Sequence, residues 1–265
     1  MYSMKRCLVL TSLVVLLIQT GCVTGQRTFS VPVPSAPIGA VTRGPVYVNS
    51  VVDNRTFQNK PSEPSTPSVD GDVTTLSAAQ KDRMIGRQRN GFGRAMGDIA
   101  LANDDTVTKR VRALVVEGLR RKGYEISNDP AAPTSIDIVV DEFWAWMRPG
   151  FWALTFETQV TTSLTLKSSY GSDKMVIKGY GRNHGQVVKD GNWLEAFEPA
   201  FEQYLSNFSV ELDRAGGPRS GAAAAEAKSD SELYAKLKEL DELRRDKILT
   251  EEEFQAQKKK LLEKN

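Results

Sequence analysis

Few residue types in this chain are suited to chemistry. Among 265 residues there is one histidine and there are two cysteines. That scarcity excludes a Cys/His zinc site, a disulfide framework and most histidine-driven catalysis. His184 stands beside Gly185, with Asp173, Asp190 and Glu195 near it in sequence, but no serine or cysteine motif accompanies it. No catalytic triad can be assembled, and His184 reads as a surface residue. Carboxylates are plentiful, yet none forms a spaced pair of the kind glycoside hydrolysis needs. Gly91-Phe92-Gly93 and Gly179-Tyr180-Gly181 have the look of phosphate-binding turns, but neither has the G-x-G-x-x-G or G-K-[ST] spacing between a buried strand and a helix that the mechanism demands. The expectation is a non-enzymatic protein with no catalytic residue, no metal ligands and no cofactor. Three features remain. They are Cys22, the glycine-rich stretch Asn90, Gly91, Phe92 and Gly93, and an aromatic cluster whose members Phe143 and Phe151 are candidates for contact with a ligand or partner.

Cys22 takes its meaning from what precedes it. Lys5 and Arg6 lead an apolar run over 8–18, and the small residues Thr20 and Gly21 follow, the order of charged, apolar and cleavage regions in an export signal. The run is shorter than the roughly 20 apolar residues of a membrane span, so cleavage after residue 21 is expected. The string Leu17-Ile18-Gln19-Thr20-Gly21-Cys22 resembles a bacterial lipobox, with Gln19 where the pattern carries Leu. The resemblance implies that Cys22 is acylated. Cys7 would leave with the signal, so Cys22 would be the sole cysteine and no intramolecular disulfide could form. Several acyl chains would hold the protein stably on a membrane, whereas one gives only marginal binding. Val23 follows in place of the Asp that resembles an inner-membrane retention signal, which points to the periplasmic face of the bacterial outer membrane. An inner-membrane location and a secreted protein with a free thiol are the alternatives.

The elements that must position these residues can be read from periodicity. Pro32, Pro34 and Pro37 suggest an extended tether over 22–44. Val46-Tyr47-Val48-Asn49-Ser50-Val51-Val52 reads as a buried strand. A long insert over 53–103 follows, punctuated by Pro61, Pro64, Pro67 and several glycines, in which no regular element is expected. Asp104, Asp105 and Thr106 offer an N-cap to a helix whose apolar face is Val107, Val111, Leu114, Val115 and Leu119, ended by Gly123. Its Lys109, Arg110, Arg112, Arg120, Arg121 and Lys122 read as a solvated face. Alternation over 135–184 predicts antiparallel strands, with Arg148-Pro149-Gly150 as a hairpin turn and Gly171-Ser172-Asp173 as the next. The same alternation points Trp144, Trp146 and Trp152 toward the helices and leaves Phe143 and Phe151 for exposure. Trp193, Phe197, Phe201, Tyr204, Leu205, Phe208 and Leu212 repeat at helical spacing, with Pro199 expected to start or kink that helix. The fold class expected is α+β over 45–213: an antiparallel sheet of about four strands packed on two helices, followed by a C-terminal two-helix hairpin.

Residues 214–230, with Gly216-Gly217-Pro218 and the alanines 222–225, read as a flexible linker. In the hairpin over 231–265, Leu233, Leu237, Leu240, Leu243, Ile248, Phe254, Leu261 and Leu262 are the apolar positions, and Thr250-Glu251-Glu252-Glu253 forms a capping box flanked by the staple pair Leu249 and Phe254. So small a unit buries little surface alone. Its leucines are expected to pack on a second copy or on another envelope protein. The string Ile248-Leu249-Thr250-Glu251-Glu252-Glu253-Phe254 with Lys258-Lys259-Lys260-Leu261-Leu262 closely resembles the SHOCT domain, a short C-terminal module of many bacterial proteins, with Lys247 where that family has Gly. Within the body, Val51-Val52-Asp53-Asn54-Arg55, Ile85-Gly86, Asn90-Gly91-Phe92-Gly93, Asp98-Ile99 and Gly118-Leu119-Arg120-Arg121-Lys122-Gly123-Tyr124 resemble YajG-type bacterial lipoproteins. That resemblance implies fold and location, and makes the 85–99 loop a family feature.

Charge narrows the partners. With 35 Lys and Arg against 33 Asp and Glu the net charge is +2, too balanced for a protein held to nucleic acid by phosphate neutralisation. The function expected is envelope assembly or protein–protein interaction through the hairpin; the alternative is an envelope glycan- or lipid-binding module using the 86–97 loop and nearby aromatics.

Overall fold

The structure, a computed structural model, describes residues 25–37, 41–90, 92, 94–150, 152–168, 171–215, 254, 255, 257 and 258. The chain divides into two compact units, Met1–Ala215 and Gly216–Asn265. Cys22, Gly91, Gly93, Phe151, Leu233, Leu237, Leu240, Leu243, Ile248, Leu261 and Leu262 lie outside the described residues. In the second unit Phe254 is buried and helical, with the Lys258 ammonium 6.0 Å from its ring centroid.

The first unit is built on one mixed sheet of eight strands, twice the number expected. These are β1 (Arg27–Phe29), β2 (Pro45–Asp53), β3 (Met84–Arg89), β4 (Ala95–Leu101), β5 (Glu125–Ser127), β6 (Thr134–Pro149), β7 (Leu154–Ser168) and β8 (Gly171–Gly185). Three helices accompany them: α1 (Ala78–Lys81), α2 (Val107–Arg121) and α3 (Asp190–Ala215). The expectation of four antiparallel strands on two helices is therefore wrong in two respects. Residues expected to be irregular form strands, and four of the pairings are parallel: β1 with β4, β2 with β5, and β6 with both β2 and β3. Parallel neighbours join distant segments, so no local pattern announces them.

The long strand β6 is the spine. Along one edge it pairs antiparallel with β7 over almost its whole length. Its other edge is shared, with β2 taking Thr134 to Val140 and β3 approaching at Ala145. The fork between them is filled by Arg55, whose side chain is fully buried. Its Nε and Nη2 donate to the two Asp53 carboxylate oxygens at 2.8 Å each, Nη1 to the Met84 and Phe143 carbonyls at 2.7 and 2.9 Å, and Nη2 also to the Lys81 carbonyl at 2.8 Å. All five guanidinium donors are thus satisfied, and the planar bidentate pair with Asp53 is a geometry lysine cannot reproduce.

At the same fork β6 carries a bulge between Val140 and Glu142. An extra residue reverses the in–out alternation beyond it. Before the bulge Ile136, Ile138 and Val140 face the helices; after it Phe143, Ala145 and Met147 do so. Phe143 is therefore fully buried against Phe197 and Phe201, with ring centroids 5.4 and 6.0 Å away, and is not the exposed contact residue expected. Trp144 turns to the opposite face. There it meets Phe57 edge-on at 5.9 Å and donates Nε1 to the Pro64 carbonyl, which pins the proline-rich 57–67 segment onto the sheet.

Two helices cover the other face. Thr106 caps α2 by accepting from the Lys109 amide, and Val107, Val111, Leu114, Val115 and Leu119 are all buried. Its basic face is solvated and paired: Arg110 with Asp105, Arg121 with Glu117 and Glu202, Lys122 with Asp213. Helix α3 continues through Pro199 and lays Trp193, Phe197, Phe201, Tyr204 and Phe208 on the sheet. Burial pushes the Tyr204 hydroxyl pKa up, and its partner is the Thr162 hydroxyl at 2.6 Å. Gly179 and Gly181 of β8 let α3 approach. A Cβ on either would collide with the helix backbone, at Ala200 O and Ala196 O respectively, so this Gly-x-Gly seats a helix and does not cradle a phosphate.

Two predictions follow from the sheet's polar ties. Arg55→Ala leaves Asp53 with only the residue 55 amide as donor and removes the guanidinium from three carbonyls; it is expected to cost about 3–5 kcal/mol of stability, read by urea denaturation, and a loss below about 1 kcal/mol would refute the role given to the clamp. Asp137 of β6 accepts from Asn49 and Ser50 of β2 and pairs with Lys167 of β7. The Lys167 hydrogen bond first, then those of Ser50 and Asn49, hold its pKa down at about 2. A depressed carboxyl stabilises the fold above its unfolded value near 4 and loses that contribution as pH falls toward its folded value. Asp137→Asn should lower the urea midpoint modestly at pH 7, and the gap from the parent should close on acidification to pH about 2; a pH-independent gap would count against the triad.

Candidate functional site

The directions of the strands gather several exposed side chains at one end of the sheet. Because β3 and β6 run parallel, the turns that follow them emerge on the same side. The turn after β3 carries Asn90 and Phe92; the turn after β6 carries Trp152. Leu154 pairs with Gly185, so the loop leaving β8 opens there too and presents Val187. Phe92 is 98% exposed and Trp152 85%. Trp152 was expected to point at the helices, but it lies between β6 and β7, beyond the last residue pair of the hairpin, where sheet alternation no longer directs it. Asn90 is a turn-former. Its Oδ1 accepts from the Phe92 and Arg94 amides at 3.0 and 2.9 Å, an Asx turn that holds Phe92 at the tip.

The N-terminal segment reaches the same end. β1 pairs parallel with β4, Arg27 opposite Ile99, and one step back Gly25 abuts Gly97, where a Cβ would strike the Gly25 carbonyl. Gln88 Nε2 points at that carbonyl from 3.4 Å. Arg27 pairs with Asp190 at the start of α3 at 2.8 Å. Phe29 and Val31 are buried in the core and Ala36 donates its amide to Glu117 Oε1. Residues 25–36 are therefore bound to the body along much of their length, where the proline spacing had suggested a free tether. Pro32 and Pro34 instead form one wall of a groove of about 340 Å³ against Leu194, Phe197 and Glu198 of α3.

A cavity of about 480 Å³ lies against the β3–β4 hairpin, lined by Lys60, Pro61, Asp70, Arg87, Arg89, Arg94 and Ala95. Arg87 and Arg89 are two apart on β3 and share a face, while the pairing of Arg89 with Ala95 brings Arg94 alongside. Arg87 is buried. It donates to the Val69 carbonyl, pairs with Asp70 at 3.0 Å and has Asp98 at 3.7 Å. Burial raises the Asp98 pKa against the pull of the Asp70 amide and Arg87. Burial and the Arg87 charge lower that of Arg89, opposed by Glu63. The residues marked from sequence thus separate: Asn90 and Phe92 belong to the exposed end and Phe143 to the core. The cationic lining was missed because Lys60, Arg87, Arg89 and Arg94 are scattered over two segments that had been read as one irregular insert.

His184 is exposed, with Nδ1 3.2 Å from the Thr155 hydroxyl. Among the described residues no group of three or more His, Cys, Asp or Glu side chains is placed to hold a metal ion, and no helix is long and apolar enough to cross a membrane.

No family model matches the chain, and no curated protein matches it. Solved structures that resemble it include an uncharacterized protein at 11% identity and TM-score 0.37, covering 71% of this chain and 98% of the other. A DUF330-family protein from Xanthomonas campestris, also 11% identical, has TM-score 0.33 over 72% of this chain and 97% of its own.

Proposed function

We propose that the chain is a non-enzymatic lipoprotein of the bacterial outer membrane, acylated at Cys22, whose body rests on the periplasmic face of the bilayer and whose C-terminal 231–265 hairpin engages a second copy or another envelope protein. The observation that carries this reading is the convergence at one sheet end. Gly25 lies three residues after Cys22 and sits beside Gly97, in the same quarter as the exposed Phe92, Trp152 and Val187. Three residues span at most about 11 Å, so an acyl chain on Cys22 would bring those side chains to the lipid surface. Aromatic rings are favoured at that boundary, and the exposed Arg94, Arg148 and Lys189 around them suit anionic headgroups. The protein in this reading is seated directly on the bilayer, not lifted from it. A second reading, binding of an envelope glycan or lipid beside residues 86–97, is favoured by the cavity there, whose cationic lining argues for the charged part of such a molecule.

Fractionation and vesicle flotation test the seating. Cys22→Ser is expected to move the protein from the membrane to soluble fractions while leaving weak vesicle binding; Phe92→Ser with Trp152→Ser should cut that residual binding about tenfold or more, given ~1.5–3 kcal/mol per fully buried large apolar side chain. Unchanged fractionation of Cys22→Ser would defeat acylation, and vesicle binding indifferent to the aromatic pair would defeat the orientation. Deleting 231–265 should lower the assembly mass or strip crosslinked partners from the detergent-extracted protein. Identical mass and identical crosslinks would remove the hairpin from the proposal.

A further inference from the structure

We infer that the cavity between the β3–β4 hairpin and the 60–70 segment is an anion site for a phosphate group, either free or carried by a lipid headgroup. The lining combines the buried Arg87 and the half-buried Arg89 with the exposed Lys60 and Arg94. Four cationic side chains from separate segments, Lys60, Arg87, Arg89 and Arg94, line one space of about 480 Å³, and the only carboxylate in the lining is Asp70. Arg87 is already engaged by Asp70 and by Asp98. Lys60 and Arg94, by contrast, have no carboxylate partner among the described residues. The buried Arg87 fixes the floor through its bonds to Val69 and Asp70, and Arg89 Nη2 points at the Pro61 carbonyl from 3.4 Å, which leaves Lys60 and Arg94 to close around a ligand beside them.

Clustered like charges repel, and the repulsion grows as water is excluded. Burial and the Arg87 charge already disfavour the charged form of Arg89. A phosphate oxyanion would reverse that penalty, because guanidinium groups meet its oxygens with paired, charge-assisted hydrogen bonds. A neutral glycan would leave the same cations uncompensated, and so would a lipid tail. Place supports a headgroup as one source: Arg94 follows Phe92 by two residues, so the mouth opens next to the end assigned to the bilayer. That headgroup arm rests on the membrane-seated reading, whereas the anion arm stands without it.

The experiment uses the full mature chain carrying Cys22→Ser, titrated with inorganic phosphate at low ionic strength by calorimetry and then floated on phosphatidylcholine vesicles with and without phosphatidylglycerol. Arg89→Gln and Arg94→Gln are the test variants, and Arg110→Gln on the solvated face of α2 is the control. Saturable phosphate binding is expected, weakened about tenfold or more by each test variant and unmoved by the control. A gain on phosphatidylglycerol vesicles lost in the same two variants identifies a headgroup, and phosphate binding without that gain identifies a free anion. Absence of phosphate binding, or binding equally strong in all four proteins, would overturn the site. Phe92→Ser with Trp152→Ser separates the two proposals, since it should weaken binding to neutral vesicles about tenfold or more and leave the phosphate titration unchanged.

Discussion

The buried pair of Arg55 and Asp53 is the interaction on which the sheet depends. A single strand, β6, has to serve two neighbours on one edge, and where β2 leaves and β3 enters, backbone carbonyls of β3 and β6 converge on the Arg55 side chain. Unpaired buried carbonyls are costly. Arg55 supplies donors to three of them while its own charge is neutralised by Asp53, two residues back at the end of β2. One side chain therefore ends one pairing, starts another and ties in Lys81 at the end of the short helix α1. A charge buried this deeply is tolerable only because every donor is used.

The bulge beside that clamp has consequences well beyond its own residues. By shifting the parity of β6, it sends Phe143 into the aromatic layer of α3 and sends Trp144 to the far face, where Phe57 and Pro64 receive it. Each face of the sheet thereby acquires its own cover: aromatic helix on one side, proline-rich segment on the other. Glycines do the complementary work. Gly179 and Gly181 let the α3 backbone reach β8, and Gly97 lets the N-terminal segment reach β4. In these three places the absence of a side chain brings two backbones into contact.

The functional reading grows from strand direction. Parallel placement of β3 and β6 puts two unrelated turns at one end, and the parallel pairing of β1 with β4 brings the N-terminal segment to the same end. The exposed aromatics, the segment beginning at Gly25 and the mouth of the cationic cavity are thus neighbours by topology although they are far apart in sequence. A surface assembled this way acts as a unit. Under the proposed acylation of Cys22, attachment at one point would raise the local concentration of lipid for the others, and weak contacts of each kind would add through that proximity.

Local signals in the sequence were enough for those elements whose stability is local. The Thr106 cap and the 3.6-residue repeat of α2 are legible, as are the antiparallel strands β6, β7 and β8 and the aromatic ladder of α3, because capping and periodicity act within a few residues; the turn positions are not, since Arg148, Pro149 and Gly171 to Asp173, expected in turns, are paired strand residues. The Asp53-Asn54-Arg55 string belongs with the legible elements, visible as a motif though not as a clamp, whereas Asn90 is legible only as part of a glycine-rich stretch and not as the turn that displays Phe92. What remained for the tertiary structure were the parallel pairings, the bulge and the convergence of Lys60 with Arg87, Arg89 and Arg94. The insert over 53–103 hid β3 and β4 because their glycines, with arginine and aspartate between, are poor strand formers in isolation; they hold strand geometry here because β6 pairs with β3 and the Arg55 clamp fills the fork. Phe143 and Trp152 depart from simple alternation for two reasons: the bulge in β6 turns Phe143 into the core, while Trp152 lies beyond the last pair of the hairpin; bulge and pairing limits alike are decided between segments, not within them.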